Sequence, residues 1–185
     1  MNRQILPLRD YLKDSDVCLA GALQKPTAGK IRISANLHSL YQCDVVYSVN
    51  LYLLINELSK NPGRFPHLKY VVSTARSTSI KKRKTYFAHV QIPVESAWRY
   101  DYFPAYNATT GIVAAKHLLT YPIKSLEIVG MDLYGSREWA GAHPMRPQAR
   151  DWLEMEQKDA RLDLGERLRN ACLKLLSSPE QPRPS

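Results

Sequence analysis

Short apolar runs alternate along the chain with helical stripes, and turn residues separate them. Val17-Cys18-Leu19-Ala20 is an apolar run that stops at Gly21, a pattern typical of a buried strand. Residues 31–34 alternate in polarity, and residues 44–50 are rich in β-branched and aromatic side chains, so both segments predict strands. Further strands are predicted at residues 68–73, 86–92 and 126–130, with a short last strand at 161–164.

Four segments carry the apolar stripe of amphipathic helices, and residues 51–60 show the full i, i+3, i+4, i+7 spacing. One covers residues 51–60, and the next follows Thr109-Thr110-Gly111, which supplies a threonine cap. The other two are predicted at residues 148–158 and 168–176. Strands that alternate with helices in this way indicate an α/β domain with a mostly parallel sheet.

Ligands of parallel α/β sheets bind beyond the carboxyl ends of the strands, near helix N-termini. The predicted strand ends therefore select four places for a binding site. They are Gly21-Ala22, Ser48-Val49-Asn50, residues 107–111 and residues 130–135. In the last of these, Asp132 and Tyr134 would lie at the edge where ligand groups belong. From the local pattern alone, a plain helix N-cap is the simpler interpretation of residues 107–111. The simpler interpretation of Asp132 is a turn residue that hydrogen-bonds to the backbone.

Two of these segments resemble a known enzyme family. Residues 104–115 include Thr109-Thr110-Gly111 and run into an apolar helix, and residues 124–134 form a strand that ends in Gly130-Met131-Asp132-Leu133-Tyr134. Together they resemble sialylmotif S of sialyltransferases and their bacterial relatives. Asp44-Val45-Val46-Tyr47-Ser48-Val49-Asn50 resembles the close of sialylmotif L. The glycine-and-serine opening of motif L is not visible, and Gly21-Ala22-Leu23-Gln24 stands where it would be expected.

The resemblance implies a Rossmann-like, three-layer glycosyltransferase that takes a sugar from a CMP-linked or other nucleotide donor. Transfer to an acceptor hydroxyl would be direct and metal-independent, with the donor as a substrate and no separate cofactor. The nucleotide would be held by residues at the strand edges, namely Asn50, Asn107, Thr109, Thr110, Gly111 and Tyr134.

Direct displacement needs a base for the acceptor hydroxyl and donors or positive charge for the leaving phosphate. His143 is the first candidate base, because it lies after the motif-S strand, where family members often carry a catalytic histidine. A surface loop histidine is an equal interpretation of this position. His38 is the second candidate, and Asp132 is the alternative base.

Other polar residues are interpreted as structural. His117 falls in the middle of a predicted helix, which favours a packing role. Asp14-Ser15-Asp16 matches the metal-binding Asp-x-Asp of other glycosyltransferases, but it precedes the first strand instead of ending an inner one. No residue spacing indicates a metal site.

Length and composition limit the number of domains that the chain can form. With 185 residues, of which 44% are hydrophobic, the chain is long enough for one good core and short for two. We therefore expect a single domain over residues 1–176 and a proline-containing, disordered tail at 177–185. Cys18, Cys43 and Cys172 are widely spaced, so three buried or half-buried thiols are expected instead of disulfides. Neither a secretory signal nor a membrane span is visible, and a cytoplasmic protein is predicted.

The net charge of +9 is concentrated in one window. Residues 58–94 contain no Asp or Glu but eight Lys and Arg, including Lys81, Lys82, Arg83 and Lys84. A local positive field favours a polyanionic partner. The alternative functions are therefore a nucleic-acid-binding α/β protein, or a glycosyltransferase that modifies DNA or RNA. A solvated basic loop would explain the same run.

Overall fold

The computed structural model describes residues 6–35, 42–48, 60, 65–73, 88–91, 108–133 and 145–179. Within them the strands are β1 (Asp16–Ala20), β2 (Ile31–Ser34), β3 (Val45–Tyr47), β4 (Tyr70–Ser73), β5 (Ala88–Gln91), β6 (Ser125–Val129) and β7 (Leu162–Asp163). The helices are α1 (Leu8–Leu12), α2 (Thr110–Leu118), α3 (Met145–Lys158) and α4 (Gly165–Ser177).

All seven predicted strands are present, and β3, β4 and β7 are shorter than predicted. The helix predicted at 148–158 was placed too late, because α3 already begins at Met145. Pro147 lies in its first turn, where a missing N–H costs no intrahelical hydrogen bond. The helix predicted at 51–60 lies outside the described residues, apart from Lys60.

The seven strands form one sheet in the order β5-β4-β3-β2-β1-β6-β7. Every neighbouring pair is parallel. Strands β2 to β5 follow one another on one side of β1. The chain then crosses to the other side of β1, where β6 and β7 are added. The prediction of a Rossmann-like α/β fold is thereby confirmed, and the direction of winding reverses between β1 and β6.

Both faces of the central strands are buried, which is typical of a parallel sheet. On one face, register places Val17 beside Leu126 and Leu19 beside Ile128. These side chains join a hydrophobic cluster that also contains the apolar sides of all four described helices. On the other face Cys18, Ala20 and Val46 are fully buried as well. The sheet is therefore the middle layer of the domain.

Helix α2 is fixed at its carboxyl end by a side chain from a distant turn. The Arg161 guanidinium donates to the carbonyl oxygens of Leu119 at 2.8 Å and Tyr121 at 3.0 Å. Asp159 holds the same guanidinium at 2.6 Å. Carbonyls at the end of a helix lack intrahelical partners, so a cation is the natural group to bind them.

Cys18, Cys43 and Cys172 are buried thiols, as predicted. Burial raises the pKa of the Cys43 and Cys172 thiols to about 12, so both stay protonated at neutral pH. Among the helices that the structure describes, none combines the length and the apolar character that crossing a bilayer requires.

Candidate functional site

A cavity of about 380 Å³ opens at the carboxyl edge of the sheet, where β1 and β6 end side by side. Three of the four predicted places line it: Gly21-Ala22, Thr109-Thr110-Gly111 and Gly130-Met131-Asp132. This is the point at which the winding of the sheet reverses, the usual location of ligands in open α/β sheets. Of the fourth place, only Ser48 lies among the described residues.

The loop after β1 and the turn after β6 are in backbone contact. Gly21 N–H donates to Val129 at 2.8 Å, and Leu23 N–H donates to Gly130 at 3.1 Å. A Cβ on Gly21 would lie 2.4 Å from the Gly130 oxygen, and one on Gly130 would lie 2.4 Å from the Gln24 nitrogen. Gly130 also has a φ of +65°. Only glycine permits this approach at both positions.

The segment that stands in place of the motif-L opening therefore forms one wall of the cavity. Its sequence, Gly21-Ala22-Leu23-Gln24, lacks the expected serine and glycine pattern. The one sequence feature that indicated a site here was Gly21, which ends the apolar run of residues 17–20. The far end of the same loop is tied to β6. Glu127 accepts hydrogen bonds from Thr27 Oγ1 at 2.7 Å and Lys30 Nζ at 3.1 Å.

The start of α2 forms the opposite wall and has an unusual cap. Thr109 is the N-cap residue, yet within the described part of the chain its hydroxyl makes no capping hydrogen bond to the helix backbone. Its N–H instead donates to Oε1 of Gln148 at 3.1 Å. The helix dipole places partial positive charge at this end of α2. Thr109 and Thr110 therefore line the cavity where an anion would be favoured.

Met131 occupies the space that two glycines leave open. A Cβ on Gly111 would lie 2.9 Å from Met131 Sδ, and a Cβ on Gly21 would lie 2.7 Å from Met131 Cγ. The Met131 side chain therefore packs between the loop after β1 and the first turn of α2. It brings the two walls of the cavity into contact with the turn that carries Asp132.

Sequence reasoning missed the third wall, which comes from α3 and α4. Met145, Gln148 and Trp152 of α3 and Leu168 of α4 line the cavity. Trp152 and Leu168 lie on the apolar stripes of the two predicted helices, and both are buried. The available signal was Gln148, which lies one turn before Trp152 on the buried side of an amphipathic helix. It is one of few buried polar residues in the described chain.

Four of the predicted site residues are brought together. Thr109, Thr110, Gly111 and Asp132 all line the cavity and are partly buried. The remaining candidates lie outside the described residues: Asn50, Asn107, Tyr134, His38, His143, Lys81, Lys82, Arg83 and Lys84.

The residues interpreted as structural lie away from the cavity. His117 Nδ1 is 2.7 Å from the Tyr47 hydroxyl, and burial lowers the pKa of the imidazole to about 4. Asp16 opens β1 at the amino edge of the sheet, where it accepts hydrogen bonds from Ser125 and Lys124. Asp14-Ser15-Asp16 is thus at the opposite edge from the cavity.

The cavity combines an apolar side, formed by Met131, Leu133 and Trp152, with a few polar groups at the start of α2. This composition is typical of a small-molecule site. Comparison of the chain with family models, curated proteins and solved structures finds no match in any of the three. Among the described residues, no cluster of three His, Cys, Asp or Glu side chains could hold a metal ion.

Proposed function

We propose that the protein is a small sialyltransferase-like glycosyltransferase that transfers a sugar from a CMP-linked donor to an acceptor hydroxyl. One observation carries this proposal. The two halves of the motif-S resemblance, Thr109-Thr110-Gly111 and Gly130-Met131-Asp132, line one cavity although the whole of α2 and β6 separates them. That cavity lies at the switch point of the sheet, where such folds bind nucleotides.

In this proposal the nucleotide phosphate binds at the start of α2. The positive end of the helix and the hydroxyls of Thr109 and Thr110 suit a phosphate group. The nucleoside lies against the apolar side of the cavity. Asn50, Asn107 and Tyr134 complete the binding site in the same scheme, on the strength of the sequence resemblance.

The reaction would be a single displacement. The acceptor oxygen attacks the anomeric carbon, a new carbon–oxygen bond forms, and the bond from that carbon to the phosphate oxygen breaks. The acceptor proton passes to His143 or to Asp132, and CMP leaves with the bonding electron pair. Helix N–H groups that face the departing phosphate would stabilise its growing charge.

The first test is nucleotide preference. We expect CMP or CDP to stabilise the protein more than AMP or GMP, because the resemblance implies a cytidine donor. At 100 times its dissociation constant a nucleotide adds about 2.7 kcal/mol to the free energy of unfolding, and a thermal-shift series detects this easily. The donor hypothesis would be rejected if no pyrimidine nucleotide shifted the melting temperature at millimolar concentration.

A second candidate function is nucleic-acid binding, and the uninterrupted basic window of residues 58–94 favours it. We expect replacement of Lys81, Lys82, Arg83 and Lys84 by Gln to weaken DNA or RNA binding. The salt dependence should flatten by up to roughly 0.9 log units of slope for each lost phosphate contact.

A matched control removes the same formal charge elsewhere. Four exposed lysines outside the window are replaced by Gln: Lys116, Lys124, Lys158 and Lys174. Binding is then measured by fluorescence anisotropy over a range of salt concentrations. A local site predicts a large effect only for the window variant. Equal effects of both variants would indicate non-specific attraction. If the wild-type protein showed no salt-sensitive binding to DNA or RNA, the basic window would be a solvated loop without a binding role.

A further inference from the structure

Gln148 is a fully buried polar side chain that joins α3 to the start of α2. Its Oε1 accepts the Thr109 N–H at 3.1 Å, and the residue lines the cavity. A buried amide is costly unless it is hydrogen-bonded. A glutamine here instead of an apolar residue therefore calls for a role that an apolar side chain cannot fill.

The capping of α2 identifies that role. In a capping box, the side chain at N3 reaches back to accept the N–H of the N-cap residue. The N3 residue of α2 is Ile112, which has no acceptor. Gln148 supplies the missing acceptor from a different helix. The Thr109 carbonyl meanwhile accepts the Val113 N–H at 3.2 Å, so both backbone polar groups of Thr109 are fixed.

This arrangement leaves the Thr109 hydroxyl out of the cap. In an ordinary N-cap the side-chain oxygen turns inward to the N2 or N3 amide. Because the turn is held through the Thr109 N–H instead, the hydroxyl and the first-turn amides of α2 can serve a ligand in the cavity.

We infer that Gln148 is a positioning residue, which holds the Thr109-Thr110-Gly111 turn in the conformation that binds the donor phosphate. The inference rests on the proposed function, since it concerns the phosphate end of the same nucleotide site. It predicts that Gln148 affects ligands that carry a phosphate and has little effect on those that do not.

The test compares CMP with cytidine in Gln148→Met, which removes the acceptor and keeps much of the volume. We expect CMP affinity to fall about tenfold, as for the loss of one well-placed hydrogen bond, and cytidine affinity to stay within about threefold. Arg161→Met is the matched control, because it releases the other end of the same helix. That variant should lower stability yet leave CMP affinity within about twofold. Isothermal titration at a temperature where all variants are folded gives these affinities.

A second variant keeps the inference testable if Gln148→Met does not fold. Gln148→Asn keeps a polar amide, but its shorter side chain withdraws the acceptor from the Thr109 N–H. It should weaken CMP by about tenfold and spare cytidine.

The outcomes separate this inference from the proposed function. CMP binding that equals that of the wild type in both Gln148 variants would overturn the role of Gln148 and leave the proposed function standing. Parallel losses of CMP and cytidine would also overturn it, since they indicate a merely structural residue. A wild-type protein that binds neither ligand would overturn the proposed function, and the role of Gln148 with it.

Discussion

Replacing His143 by glutamine is expected to lower sugar transfer by roughly 10²–10⁴-fold, the usual cost of losing a general base. The neutral imidazole would accept the proton of the acceptor hydroxyl as the sugar transfers. Glutamine keeps some bulk and polarity but cannot accept that proton. Nucleotide affinity should stay within a few-fold, because the base acts on the acceptor and not on the donor. Turnover is measured with saturating donor, and CMP affinity by titration.

Asp132→Asn is the paired variant. Asp132 lines the cavity two residues after Gly130, whereas His143 lies outside the described residues. Full transfer by His143→Gln together with loss of transfer by Asp132→Asn would pass the role of base to Asp132. If both variants kept full activity, the chemistry would lie elsewhere and the proposed site would be wrong.

Much of the fold was predictable because its strands are short apolar runs with clear stops. The run Val17-Cys18-Leu19-Ala20 is buried on both faces of the sheet, so every residue in it is apolar, and the strand was recognised without alternation. The start of α3 was missed, and its first turn contains Pro147, a residue that is tolerated at this position of a helix.

The candidate site was only partly predictable, for a related reason. The strand ends and helix N-termini of a parallel α/β protein meet at one edge, so Gly21, Gly111 and Gly130 could be grouped from the sequence alone. The contribution of α3 and α4 to the cavity could not be predicted from the sequence. An apolar residue such as Trp152 or Leu168 has the same pattern whether it packs in the core or lines a cavity. Gln148 was the exception, since a polar residue on the buried side of a helix needs a partner.

The order of the strands in the sheet could not be predicted from the sequence either. Alternating strands and helices predict a parallel sheet but do not say which strands are neighbours. The pairing of β1 with both β2 and β6 creates the switch point, and it depends on the long return of the chain from β5. The position of the cavity depends on that pairing. Gly21 and Gly130 are in close backbone contact where the two strands end, so a substitution at Gly130 tests the pairing.

Gly130→Ala is expected to lower the free energy of unfolding by about 3 kcal/mol and to abolish nucleotide binding. Two costs combine at this position. A positive φ costs a residue with a Cβ about 1–2 kcal/mol, and the new Cβ would lie 2.4 Å from the Gln24 nitrogen. That neighbour is backbone and cannot rotate away, so the loop after β1 must shift. The shift would displace the wall of the cavity formed by Gly21 and Ala22.

Gly29→Ala separates the two costs. Gly29 has a similar φ of +79°, but a Cβ there would meet nothing within 4 Å. This variant should lose only about 1 kcal/mol, the cost of the backbone conformation alone, and should bind CMP like the wild type. Guanidinium denaturation measures both free energies, and titration of the folded variants measures binding. Equal losses of stability in the two variants would show that the loop after β1 does not contact Gly130 as closely as the structure has it. CMP binding that survived in Gly130→Ala would move the nucleotide away from this wall.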